Sequence, residues 1–162
     1  EKSDWEEFAK HGPLAALAMQ HHIEHQAWKV TGDFRIPAQR LTDFLDGIVS
    51  VNLPGSSYHP GLLCHDLNAI LPSFISERLK LAFADFNQKM KGFISAEAIV
   101  TAVESRTSTP VRIPRDPETL CHPQLMGLYP CGEGSGYAGG IVSSAMDGQK
   151  SAQVAAARYI PA

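Results

Sequence analysis

The chain has 162 residues, 44% of them hydrophobic and 19% charged, a balance that suits a globular protein with a real core. A formal net charge of -3 with no clustering of Lys and Arg argues against a nucleic-acid or anionic-membrane surface. No apolar run approaches the ~18 residues of a transmembrane helix. The charged opening Glu1–Glu7 does not read as a secretory signal, and the absence of an initial Met fits a processed chain or an excised piece. Cys64, Cys121 and Cys131 are an odd number at unremarkable spacing, which suits reduced thiols in a cytoplasmic protein better than a disulfide framework.

Ala16, Met19, Ile23, Ala27 and Val30 recur at three- and four-residue steps and predict a first helix. Gly12-Pro13 marks its start and Thr31-Gly32-Asp33 its stop. Pro37 to Phe44 reads as a short helix with Leu41, Phe44 and Leu45 inward, and residues 52–61 read as a loop. Ile75, Leu79, Ala82, Phe83, Phe86 and Met90 form one apolar stripe, expected to face a core, and Gly92 stops that helix. Ala98 to Val103 is expected to begin as helix and end as strand. Val111–Ile113 and Gly127–Cys131 read as short strands, and Ile141–Tyr159 as a small-residue helix suited to close packing on a sheet. The fold class is therefore α+β and helix-rich.

Five of the chain's 13 glycines fall within Gly132-Glu133-Gly134-Ser135-Gly136-Tyr137-Ala138-Gly139-Gly140, between an expected strand and an expected helix. Glycine permits positive φ and close approach of backbone to a ligand. A helix N-terminus offers unpaired N–H groups and partial positive charge, which suit an electron-rich ligand. One carboxylate inside such a turn, Glu133, suits hydroxyls better than phosphate. The same run also suits a tight turn with close helix packing and no ligand. It is neither G-x-G-x-x-G with an acid ~20 positions later nor a phosphate loop ending in Gly-Lys-Ser/Thr.

The stretch from Glu104 to Gly148 resembles the C-terminal segment of uncharacterised bacterial FAD-dependent dehydrogenases, flavoproteins of the broad glutathione-reductase type. The matching pieces are Glu104–Arg115, His122-Pro123, Gly127–Gly134, Gly136–Val142 and Ala145–Gly148. Gly12–Ala15, Pro37–Arg40 and Phe86–Gly92 are similar as well. The resemblance implies a split FAD domain. Residues 1–95 would be most of an inserted substrate-type domain, and 96–162 the C-terminal flavin-closing strand-turn-helix segment. It implies FAD as cofactor, with Glu133 on the ribityl chain between Gly132 and Gly134. Gly139, Gly140 and Ile141 would face the pyrimidine edge, with Ser105, Arg106 and Thr107 near the isoalloxazine. A small apolar residue is expected at Ser135, where a hydroxyl also fits. The pyrophosphate-binding turn would come from a missing N-terminal FAD-binding part of the same chain, so these residues alone would bind FAD weakly and be inactive. The substrate would be an unidentified small molecule. No residue stands out in the sequence as a catalytic acid or base.

Two other readings stand beside this one. His21-His22-Ile23-Glu24-His25 matches the inverted zinc-protease pattern H-x-x-E-H, with His21 and His25 one helical turn apart and Glu24 as base. A zinc hydrolase would need a third ligand, for which Glu77, Glu97 and Glu104 are candidates. Polar histidines on a helix face explain the same residues without metal. The other reading is a non-catalytic interaction module.

Overall fold

The computed structural model describes residues 2–106 and 108–159. It is α+β and divides into two compact units, Gln20–Ser105 and a second one formed by Lys2–Met19 with Arg106–Ala162. Helix α1 (Ala15–Thr31) contributes to both. Its end lies where the sequence places it, at Gly32, whose φ of 65° leaves the helical region.

In the first unit, strand β1 (Ile36–Arg40) runs into helix α2 (Leu41–Asp46). The short helix expected from Pro37 thus begins only at Leu41. Strand β2 (Leu62–Cys64), helix α3 (Ser73–Lys89) and strand β3 (Ile99–Thr101) follow. The sheet order is β2-β1-β3, with β2 parallel and β3 antiparallel to β1. Ile36 pairs with Leu62, and Ala38 with Thr101. A proline in a central strand normally costs a ladder bond. Pro37 is accommodated because it sits at the end of the β3 ladder, where its carbonyl accepts from Ala102 N at 3.1 Å.

Ala27 of α1, Phe44 of α2, Leu67, Ile70 and Ala102 form the buried cluster, flanked by Val30, Leu79, Phe83 and Val100. Phe44 meets Phe83 edge-on with ring centroids 6.1 Å apart, a favoured aromatic geometry. The apolar stripe of α3 is only partly internal. Leu79 and Phe83 pack on the core, whereas Phe86 and Met90 are exposed.

Gln39 is fully buried and joins three segments. Its Nε2 donates to Ile48 O at 2.6 Å, and its Oε1 accepts from Leu67 N at 2.9 Å. Replacing Gln39 with alanine leaves the buried Leu67 N–H without its partner and removes the bond to Ile48 O, a loss of about 2 kcal/mol. Urea unfolding of the variant is expected to show a lowered midpoint at unchanged slope.

In the second unit, 3-10 turns over Lys2–Leu14 are interrupted at Trp5 and Gly12. Helix α4 (Ile141–Tyr159) matches its expected bounds. The expected strands at Val111–Ile113 and Gly127–Cys131 have no ladder partners and are irregular chain. Pro110 and Pro114 flank the first and Pro130 lies inside the second, and each lacks an N–H donor. Ile113 N instead donates to Ser135 O at 3.2 Å. Among the described residues this unit has no strand, so α4 does not pack on a sheet there. Ser151 is its buried position.

Candidate functional site

The glycine-rich segment folds as a turn leading into α4. Gly132 has φ 71° and ψ -162°, a region open to glycine, and a short 3-10 turn spans Glu133–Ser135. Gly136 closes that turn at φ 82°, donating to Glu133 O at 2.9 Å, and Tyr137 N donates to Gly132 O at 3.1 Å. A Cβ at Gly136 would meet Val111 O at 2.8 Å, so the chain passes here against its own backbone. Gly134 and Gly139 face open space, with nothing within 4 Å of an added Cβ. Ser135 is buried, whereas Cys131 is exposed.

The first turn of α4 is held at Gly140. Gly140 N donates to Ser143 Oγ at 3.1 Å, and that hydroxyl donates to Gly140 O at 3.0 Å. The apolar side chains here are uncovered, with Ile141 92%, Val142 71% and Met146 65% exposed. Glu133 is half-buried and its carboxylate makes no hydrogen bond among the described residues.

An ion pair frames the turn from below. Arg115 Nη1 and Nη2 reach Asp147 Oδ2 and Oδ1 at 2.9 and 2.7 Å, and Arg115 also donates to Pro130 O at 2.9 Å. Asp147 Oδ2 accepts from Gly132 N at 2.9 Å, which ties α4 to the first glycine of the turn. The Arg115 guanidinium lies 3.6 Å from the Tyr137 ring centroid, and the Tyr137 hydroxyl donates to Ile113 O at 2.9 Å. The hydrogen bonds from Arg115 hold the Asp147 carboxyl below the ordinary carboxylate range, with Gly132 N adding to the effect. The same pair raises Arg115 further above its already high value. The sequence contains these residues but no spacing rule joins positions 32 apart.

The expected flavin residues fall in both units. Gly132, Glu133, Gly134, Gly139, Gly140 and Ile141 lie together on the turn and helix start of the second unit. Ser105 ends the first unit. Its hydroxyl donates to Glu24 Oε1 at 2.7 Å, and its carbonyl accepts from Gln20 Nε2 at 2.8 Å. Arg106 is exposed, and Thr107 lies outside the described residues.

The histidine motif on α1 does not assemble a metal centre. His21 and His25 stack on each other with ring centroids 6.2 Å apart, and His25 also stacks on Trp28. Glu24, the expected base, is engaged by Ser105. Among the described residues, no group of three His, Cys, Asp or Glu side chains is placed to share a metal ion, so Glu77, Glu97 and Glu104 supply no third ligand. No helix among them is long and apolar enough to cross a membrane.

An α+β chain with a glycine turn opening onto a helix is one of many flavoprotein and non-flavoprotein parts, and comparison narrows it. Residues 2–107 match the family described as FAD-dependent protein, C-terminal domain-like, and the chain belongs to that family. A Clostridium beijerinckii protein described as uncharacterized is 40% identical over 151 residues, covering 91% of this chain and 28% of the relative. The chain thus spans 28% of the length of that curated relative. The family match includes Ser105 and Arg106 and stops before the glycine turn. A span of 91% of the chain reaches across Gly132–Ile141, which lies well inside both ends.

Proposed function

We propose that this chain is the C-terminal part of a longer FAD-dependent oxidoreductase, a dehydrogenase of the broad glutathione-reductase type, acting on a small-molecule substrate in the cytoplasm. Residues 96–162 close over the flavin and residues 1–95 form most of an inserted substrate-side domain. The remaining FAD-binding part of the same polypeptide supplies the pyrophosphate anchor. The supporting observation is membership of an FAD-dependent family together with a glycine-lined turn whose one carboxylate, Glu133, has no hydrogen-bond partner among the described residues.

The residues present suit that cofactor. Open space at Gly134 and Gly139 admits a ligand against the backbone, and exposed Ile141, Val142 and Met146 offer apolar surface for a ring system. Bound FAD supplies an acceptor for a hydride or electron pair. Glu133 accepts hydrogen bonds from ribityl hydroxyls, and Gly132 and Gly134 keep side chains out of their way. Gly139, Gly140 and Ile141 bring the α4 N-terminus to the pyrimidine edge, where its partial positive charge favours the negative charge of the reduced ring. By resemblance to the family, Ser105, Arg106 and, outside the described residues, Thr107 are the candidates for isoalloxazine contact.

The test is Glu133→Ala in the longest natural chain that contains these residues, titrated as apoprotein with FAD. The expected result is at least about tenfold weaker binding, the loss of a charged hydrogen-bond acceptor in a partly buried turn. Unchanged affinity would remove the ribityl role.

A further inference from the structure

We propose that an open hollow of about 560 Å³ in the second unit binds a small organic dianion, either a phosphate monoester or a dicarboxylate. Arg112, Arg115, Lys150, Tyr137, Pro114 and Leu120 line it, together with Pro117. None of these is among the residues assigned to flavin, so the site stands apart from that reading.

Charge is what selects the ligand. Of the three cations, Arg115 is matched by Asp147 through two hydrogen bonds. Arg112 uses only Nε, on Gly136 O at 3.0 Å, and its two terminal nitrogens make no other hydrogen bond among the described residues. Lys150 makes none there either, and the acid that feels its charge is Asp147, already held by Arg115 and Gly132. Lys150 follows Asp147 by three positions on α4, which puts both on one helix face.

The acid next to the wall is also occupied. Asp116 Oδ1 accepts from Glu118 N, Thr119 N and the Thr119 hydroxyl at 3.0, 2.8 and 3.0 Å. These bonds, led by the Thr119 backbone N–H, hold its carboxyl below the ordinary range. Two cationic heads therefore line the hollow without a matching carboxylate. Guanidinium and ammonium groups bind phosphate or carboxylate oxygens through charge-assisted hydrogen bonds. A dianion matches both heads, while Pro114, Pro117 and Leu120 form an apolar wall for its organic body.

Calorimetric titration of the longest natural chain with phenyl phosphate and with succinate, using benzyl alcohol as the uncharged comparison, tests the site. At least one dianion is expected to bind saturably, more weakly as salt rises, with no heat from benzyl alcohol. Binding of phenyl phosphate alone assigns the phosphate monoester, and binding of succinate alone the dicarboxylate. Lys150→Ala, which removes an exposed side chain and no hydrogen bond, is expected to weaken binding about tenfold at unchanged unliganded melting temperature. Arg112→Met is expected to weaken it similarly. No saturable binding of either dianion, or equal binding by Lys150→Ala and the wild type, would overturn the proposal.

Discussion

Replacing Asp147 with alanine is expected to destabilise the second unit by on the order of 3 kcal/mol at neutral pH. The Arg115 and Asp147 side chains are only 10% and 15% exposed, so removing the carboxylate strands a nearly buried cation. Gly132 N loses its acceptor in the same change, which loosens the link between α4 and the glycine turn. The pH dependence has a definite sign. Asp147 titrates below its ordinary value of 3.8 in the folded chain, chiefly through the hydrogen bonds from Arg115. A carboxyl depressed by folding stabilises the fold fully well above its unfolded value. That contribution is lost as pH falls past the unfolded value and through the lower folded one. Denaturant melts should therefore show a wide gap between wild type and Asp147→Ala at pH 7, and a narrower gap in acid. Equal stabilities at pH 7 would show that the pair contributes nothing.

Gly136→Ala is expected to cost about 3 kcal/mol, combining left-handed strain with a backbone clash. Its φ of 82° disfavours any side chain, and the new Cβ would sit 2.8 Å from Val111 O and 3.1 Å from Arg112 Cα. Neither is the free end of a flexible side chain, so relief requires moving backbone that carries Ile113 and its bond to Ser135. Gly134→Ala is the matched control. Its φ is not positive and nothing lies within 4 Å, so a change within about 0.5 kcal/mol is expected. Similar thermal shifts for the two variants would contradict the close approach at Gly136.

Helices α1, α3 and α4 were legible because each shows either a three- and four-residue apolar rhythm or a run of small helix formers, and Gly32 and Gly92 mark stops. Strand β1 was not. Pro37 reads locally as a helix start, and only pairing with β2 and β3 on both sides makes the segment extended. At Val111–Ile113 the reverse holds: strand-forming residues lack a partner strand, and their polar groups go to Ser135 and Tyr137 instead. Exposure of Phe86 and Met90 shows how periodicity gives a helix face without its cover.

The candidate site was half legible. The glycines and Glu133 stand out by composition and spacing, and the turn forms where they fall. The frame that fixes the turn depends on Arg115, Tyr137 and Asp147 meeting across the fold. The buried Gln39 brace is likewise a product of tertiary structure. The H-x-x-E-H match illustrates the opposite case, a pattern with correct spacing whose base is engaged by Ser105 and whose third ligand does not assemble among the described residues.

The most direct measurement is the visible absorbance of the longest natural chain that contains these residues, purified gently, followed by anaerobic reduction with dithionite. The expected result is a flavin band that bleaches on reduction, is lost with release of FAD on denaturation, and is depleted in Glu133→Ala. A purified, folded long chain that shows no flavin band and takes up no added FAD would contradict it.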